Sequence, residues 1–147
     1  MKPNKITIHH EAGNAGFESV NEYHKQKWNF KSSLGFYIGY HYYIEKSGKI
    51  FQGRQDNEEG AHTFKYNTGN IGICLQGDFM TEEPSEAQIK SLKELTDRLK
   101  LTYGIQEVKA HRDYNKTECP GDELYKFVLE EKISWLKKLI YLLLNKK

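Results

Sequence analysis

Two imidazoles and one thiol are the residues of this chain best suited to chemistry: His9, His111 and Cys119. Each stands in a distinctive short string, I-T-I-H-H-E-A, K-A-H-R-D and T-E-C-P-G. All three are zinc-preferring ligands. A catalytic zinc site takes three protein ligands and leaves the fourth position for water, whereas a structural site takes four. With two cysteines and no C-x-x-C in the sequence, a closed, sulfur-rich site is hard to assemble. The set therefore reads as an open, hydrolytic site. Bound zinc would lower the pKa of its water and polarise a substrate carbonyl.

The elements that must position these residues follow from the pattern around them. Ile6–His10 reads as a strand, with His9 and His10 on opposite faces. Ser19-Val20-Asn21-Glu22 has the form of a capping box and predicts a helix over about Val20–Trp28. Gly39–Arg54 reads as a hairpin turning at Lys46-Ser47-Gly48. Strict alternation in it puts Tyr40, Tyr42 and Ile44 on one side, and His41, Tyr43 and Glu45 on the other. Ile71–Gln76 is a buried central strand, in which Cys74 packs as a small hydrophobe. Ser85 and Gln88 form a second capping box, followed by the stripe Ile89, Leu92, Leu95/Thr96 and Leu99 and a stop at Gly104. Glu107–Ala110 is a short strand delivering His111. The loop 113–121 holds Cys119, and Asp122–Leu144 is helical. Strands alternating with helices give an α/β fold: a mixed central β-sheet flanked by helices.

The chain's 147 residues suit a single compact domain. Mean hydropathy is −0.78, offset by 13% aromatic residues with large buried surfaces. A net charge of +2 is too small to argue for a nucleic-acid partner. Basic character is local: Lys132–Lys147 contains five lysines and no acid. The chain opens without the apolar core of a signal peptide, so synthesis and retention in the cytoplasm are expected, with release to any outside target left to another factor. The 12-residue stretch Ile133–Leu144 contains two lysines and falls short of the roughly 20 apolar residues that span a bilayer.

The strings I-H-H-E-A, G-Y-H-Y, G-R…G-A-H-T, N-I-G-I-C-L-Q-G-D-F, A-H-R-D and T-E-C-P-G stand in the order found in zinc amidases of the amidase-2 class. That class includes phage lysozyme-amidases and peptidoglycan-recognition proteins. The resemblance covers about residues 5–127, and six strings in order are specific where one alone is not. It implies hydrolysis of the amide between muramic acid and L-alanine in peptidoglycan. It makes His9, His111 and Cys119 the zinc ligands and Tyr40 the catalytic tyrosine. Phage enzymes carry a lysine two residues before the ligand cysteine, where this chain has Thr117. Spore-type relatives carry a glutamate where it has Cys74. Tyr40 and Thr117 are thus expected to share the work with the metal-bound water.

Substrate contact is expected of His62, Arg54 and Asn67. Loop packing is the alternative for His62, and a solvated hairpin end for Arg54. Gln55-Asp56, after the G-R pair, match neither familiar sorting pair, so the stem-peptide type stays open. His10 is read as packing or as support behind the neighbouring ligand, His41 as structural, and His24 as surface or groove wall. Residues 133–147 form an amphipathic cationic helix, either packed on the sheet or engaging anionic envelope surfaces. The resulting expectation is a monomeric endolysin acting on the cell wall after holin-dependent release. A recycling amidase, a non-catalytic peptidoglycan-binding module and a polymerase-binding regulator are the rivals. Non-enzymatic members of the class typically lack the ligand cysteine, which this chain has.

Overall fold

Ile6 and Ile8 alternate with Thr7 and His9, which gives one strand an apolar face and a polar one. In the computed structural model, which describes residues 1–145, this segment is β1 (Lys5–His10). It pairs in parallel with β4 (Asn70–Leu75) on one side and β5 (Val108–Ala110) on the other. β2 (Tyr42–Ile44) runs parallel to β4, and β3 (Ile50–Gln52) closes the edge antiparallel to β2. The order is β3-β2-β4-β1-β5, a mixed sheet as expected. The apolar run of β4 lies at its centre and is buried throughout, as a strand covered on both faces must be.

The two faces have different tasks. Ile6, Ile8, Ile71, Ile73, Leu75, Tyr42 and Ile44 point to the face covered by α2 (Glu86–Tyr103) and the start of α3 (Asp122–Leu144). Helix α2 opens on the expected box: the Gln88 N–H donates to Ser85 Oγ at 3.0 Å, and the Ser85 N–H to Gln88 Oε1 at 3.1 Å. It ends at Gly104, whose φ of 73° is a left-handed cap. The other face carries Thr7, His9, Gly72, Cys74 and Tyr43, and α1 (Phe17–Trp28) covers part of it through Phe17 and Val20. Cys74 is buried as expected, and neither cysteine is in a disulfide.

Two local expectations change. Helix α1 begins at Phe17, ahead of Ser19, and Gly16 is its N-cap without a side-chain cap. The Glu11 carboxylate, just after β1, ties down the turn before the helix by accepting the Ala15 N–H at 2.6 Å. The strict alternation along Gly39–Glu45 also fails. Tyr42 and Ile44 enter the main core, but Tyr40 lies on the opposite face with Phe17, Tyr43 and Cys74. Regular strand begins only at Tyr42, and the Gly53 and Arg54 N–H groups both point at His41 O. Two residues opposite one form a bulge on the partner strand; residues 39–41 are themselves bent, so the two-residue alternation does not reach back to Tyr40.

Helix α3 packs only along its first half, through Leu124, Phe127 and Val128. At 23 residues it is about 35 Å long, against a three-residue β5 that spans about 10 Å. Every residue from Leu136 to Asn145 is exposed, so packing on the sheet ends before the tail. Residues 146–147, the end of the expected cationic helix, lie outside the described residues. Among the described residues no helix is long and apolar enough to cross a membrane.

Candidate active site

His9 stands near the C-terminal end of β1, and His111 opens a one-turn 3-10 helix directly after β5, the neighbouring parallel strand. The seven-residue connection to Cys119 folds back, held by the Arg112 N–H on Cys119 O at 3.0 Å and the Cys119 N–H on Thr117 Oγ1 at 3.2 Å. The ligand atoms of His9, His111 and Cys119 all lie within 4.8 Å of one another. Cys119 Sγ is 3.6 Å from His9 Nδ1, close to the separation of about 3.6 Å expected for a nitrogen and a sulfur on one tetrahedral zinc.

Hydrogen bonding selects the ligating nitrogens. His62 Nε2 faces the Asn70 carbonyl at 3.0 Å, so it carries the proton and its Nδ1 must accept. That Nδ1 lies 3.0 Å from His9 Nε2, which therefore donates. His9 Nδ1 is left with its lone pair toward Cys119. Thr63 Oγ1 also lies 3.3 Å from His9 Nε2. His111 Nε2 meets Asn115 Oδ1 at 3.1 Å, and the Asn115 amide is fixed in turn on the Phe64 carbonyl at 3.3 Å. Each imidazole is thus oriented through the nitrogen a metal would not use, the usual outer support of a metal site.

The electrostatics suit a cation. Burial, then His62, His111 and His10, hold His9 well below its ordinary pKa, and burial lowers His111. Both are neutral at pH 7, the ligating form. Burial pushes the Cys119 thiol up to about 12, opposed by the His10 backbone N–H and Arg112. The thiol keeps its proton unless a bound cation displaces it. The donor set, its spacing and its neutral imidazoles fit zinc.

A groove of about 730 Å³ reaches His111, within the size range of ligand pockets. Helix α1 supplies one wall through Tyr23, His24 and Trp28, and the loop Ala61–Asn67 the other. Tyr40 lines it, with its ring 5.1 Å from that of His9. Burial, with Cys74 and Cys119 nearby, raises the Tyr40 pKa well above its ordinary value, so the hydroxyl is a standing proton donor. Glu11 also lines the groove and accepts the Tyr43 hydroxyl. Sequence reasoning gave it no role, although it follows the histidine pair directly. Asn115, four residues after His111, was missed for the same reason: its task exists only once the loop is folded.

Three assignments change. The Thr117 hydroxyl oxygen is committed to the Cys119 N–H, so Thr117 shapes the ligand loop. Asn67 lines the groove, but its Oδ1 accepts the His62 and Thr63 N–H groups at 3.0 and 2.8 Å, so the oxygen is committed to the loop. Arg54 is neither a substrate contact nor a solvated hairpin end. It is 1% exposed, donates to the carbonyls of Ile38, Phe30 and Glu59, and lies over the Phe30 ring. Arg54→Lys keeps the charge but cannot reach three carbonyls at once. It should cost about 2–3 kcal/mol, since buried acceptors lose charged donors. Urea unfolding measures this; a stable variant with weakened peptidoglycan binding would restore the substrate role.

All six histidines are held below their ordinary pKa, with burial the first cause in each. For His24, burial and then Lys27 and Arg54 bring the value to about 4. A depressed histidine resists protonation when folded, while the unfolded chain protonates near 6.5. Its stabilisation is complete above 6.5 and is lost as pH falls toward 4, worth up to about 3 kcal/mol. His24 Nδ1 accepts the Gly39 N–H at 2.9 Å, and His24→Asn supplies an acceptor that does not titrate. The advantage of the wild type over His24→Asn in urea should shrink across this window; a constant difference would contradict the assignment.

The chain matches the family model described as N-acetylmuramoyl-L-alanine amidase (amidase-2) over residues 1–122. Peptidoglycan-recognition protein SD of Drosophila melanogaster is 30% identical over 131 residues, covering 84% of this chain and 70% of its own. The endolysin of Klebsiella phage KP32 is 28% identical over 134 residues, 84% of each chain. Among solved structures, the N-acetylmuramoyl-L-alanine amidase LysC from Clostridium intestinale URNW superposes with a TM-score of 0.78 at 34% identity, over 88% of this chain and 85% of LysC. The fold agrees, and the chain belongs to the amidase-2 family of N-acetylmuramoyl-L-alanine amidases.

Proposed function

We propose that this chain is a zinc-dependent hydrolase that cuts the amide between N-acetylmuramic acid and the L-alanine of the peptidoglycan stem peptide. One observation carries the reading: His9 Nδ1, His111 and Cys119 Sγ converge at a groove beside a protonated tyrosine. Zinc held there supplies an activated water and polarises the scissile carbonyl. The protein's own residues do the rest. His62 and Asn115 hold the two imidazoles in one tautomer and orientation. The groove between α1 and the loop Ala61–Asn67 places the muramyl peptide across the site. Tyr40 presents its O–H where negative charge gathers on the carbonyl oxygen as the amide carbon becomes tetrahedral. A binding module without catalysis would have no use for three zinc-preferring donors converging beside the groove.

The relationship to the KP32 endolysin across most of both chains favours a role in lysis, with the enzyme made in the cytoplasm and reaching the wall when the cell envelope opens. The deciding experiment incubates zinc-loaded protein with purified peptidoglycan and counts new L-alanine N-termini, with and without chelator. Amines that appear and are suppressed by chelation support the reading. Tight binding with no bond cleaved would replace it with a recognition module.

A further inference from the structure

The second half of α3 takes no part in the site. From Leu136 to Asn145 every residue is exposed, among them Leu136 at 47%, Ile140 at 55%, Leu143 at 59% and Leu144 at 80%. At 100° per residue, the apolar side chains of residues 133–144 fill an arc of about 200°. Ser134, Lys137, Lys138, Asn145 and the Tyr141 ring, 66% exposed, occupy the remaining arc of about 160°, with Lys137 and Lys138 toward its two borders. No acid lies between Lys132 and Asn145 to neutralise them. The nearest, Glu131, is engaged by Lys100 and Lys93. The apolar arc continues onto the body, where Trp135, Leu139 and Leu142 share a groove with Leu101, itself 88% exposed.

We propose that this half-helix is a membrane-surface anchor that lies on anionic lipid, with its apolar arc toward the acyl chains and Lys137 and Lys138 among the headgroups. A second copy of the chain fits less well. Helix pairing covers a stripe of about 100°, which leaves half of this arc wet, and it offers the bordering lysines no acidic partner. A lipid interface covers the whole arc and supplies the missing negative charge. The helix lies on the surface and does not cross it. Its position leaves the groove free. Helix α3 starts near the site, where the Glu123 N–H bonds Phe79 O. It then runs back so that Trp135 and Leu139 sit beside Gly104–Gln106, at the end of β5 away from His111. The inference rests on the exposed helix alone and does not depend on the amidase reading.

Full-length protein is sedimented with vesicles of phosphatidylcholine alone, or of phosphatidylcholine with phosphatidylglycerol, at low and high salt. Trp135 emission in a Trp28→Phe background reports burial of the helix. Binding to the anionic vesicles, weakened by salt, with a blue shift of Trp135, is the expected result. Lys137→Gln/Lys138→Gln should bind them about 30-fold more weakly, at about fivefold per lysine. Leu136→Glu/Ile140→Glu should abolish binding while its folded circular dichroism spectrum and its action on purified peptidoglycan match the wild type. These positions are exposed, so the variants fold. Three outcomes overturn the proposal: no sedimentation of folded protein at low salt, equal binding to neutral and anionic vesicles, or a dimer that Leu136→Glu/Ile140→Glu dissolves without any vesicle binding.

Discussion

Cys119→Ser is expected to lower amide hydrolysis by at least about 10³-fold while leaving the unliganded fold intact. The loss follows from the donor set. A catalytic zinc needs three protein ligands, and among the described residues His9, His111 and Cys119 are the three that converge. A serine hydroxyl is a far poorer zinc ligand than a thiolate, and removing a Lewis acid takes away several kcal/mol of transition-state stabilisation, each 1.4 kcal/mol being tenfold in rate. The fold should survive, because the loop is held by the Cys119 backbone N–H and C=O, which serine keeps. Zinc binding stabilises only the folded state, so chelation should lower the Tm of the wild type and leave that of Cys119→Ser nearly unchanged. Metal analysis, Tm with and without chelator, and L-alanine release measure the three consequences. A variant that keeps its zinc and its activity would rule out this metal centre.

Gly72→Ala is the second large effect and reaches the same site from behind. Gly72 lies in the central strand, on the face that carries His9 and Cys74. A methyl group there would stand 2.6 Å from Cγ and Cδ2 of His62 and 2.8 Å from its Cε1. The ring cannot yield cheaply, since it is fastened to His9, Thr63 and Asn70. Overpacking of this kind costs about 1–3 kcal/mol. The ring that moves is the one that sets the His9 tautomer, so activity should fall about 10- to 100-fold, as for other outer supports of metal ligands. A cycle with His62→Ala isolates the cause. With the ring gone the methyl has room, and the activity losses of the two substitutions should be far from additive. Additive losses would show that Gly72 acts on something other than His62.

Legibility in the sequence followed the range of the interaction. Helix α2 was readable because its cap, stripe and stop lie within its own residues: Ser85 and Gln88 at one end, Gly104 at the other. The start of α1 was not, because no side chain caps it and the turn before it is tied back by Glu11, just after β1, which accepts the N–H groups of Ala15 and Gly16. Arg54 looked like a free cation in a turn-rich segment. Its actual partners are carbonyls of Phe30, Ile38 and Glu59, which no spacing in the sequence brings together. Thr117 was assigned by its place two residues before Cys119, and that nearness is what ties its hydroxyl to the Cys119 N–H.

The sequence by itself determined which side chains could hold a metal and, through the two-residue period of β1, that His9 and His10 must part to opposite faces. It also determined that Lys132–Lys147 is cationic and amphipathic. Whether that helix would be covered depended on the length of the strand beneath it, and β5 is too short. The parallel register of β1 with β4 and β5 decided that His9, His111 and Cys119 meet. The contacts that fix His9 and His62 come from Asn70 and Gly72 on the neighbouring strand. A lone pair's direction depends on what stands behind the ring, and that is a property of the packed sheet.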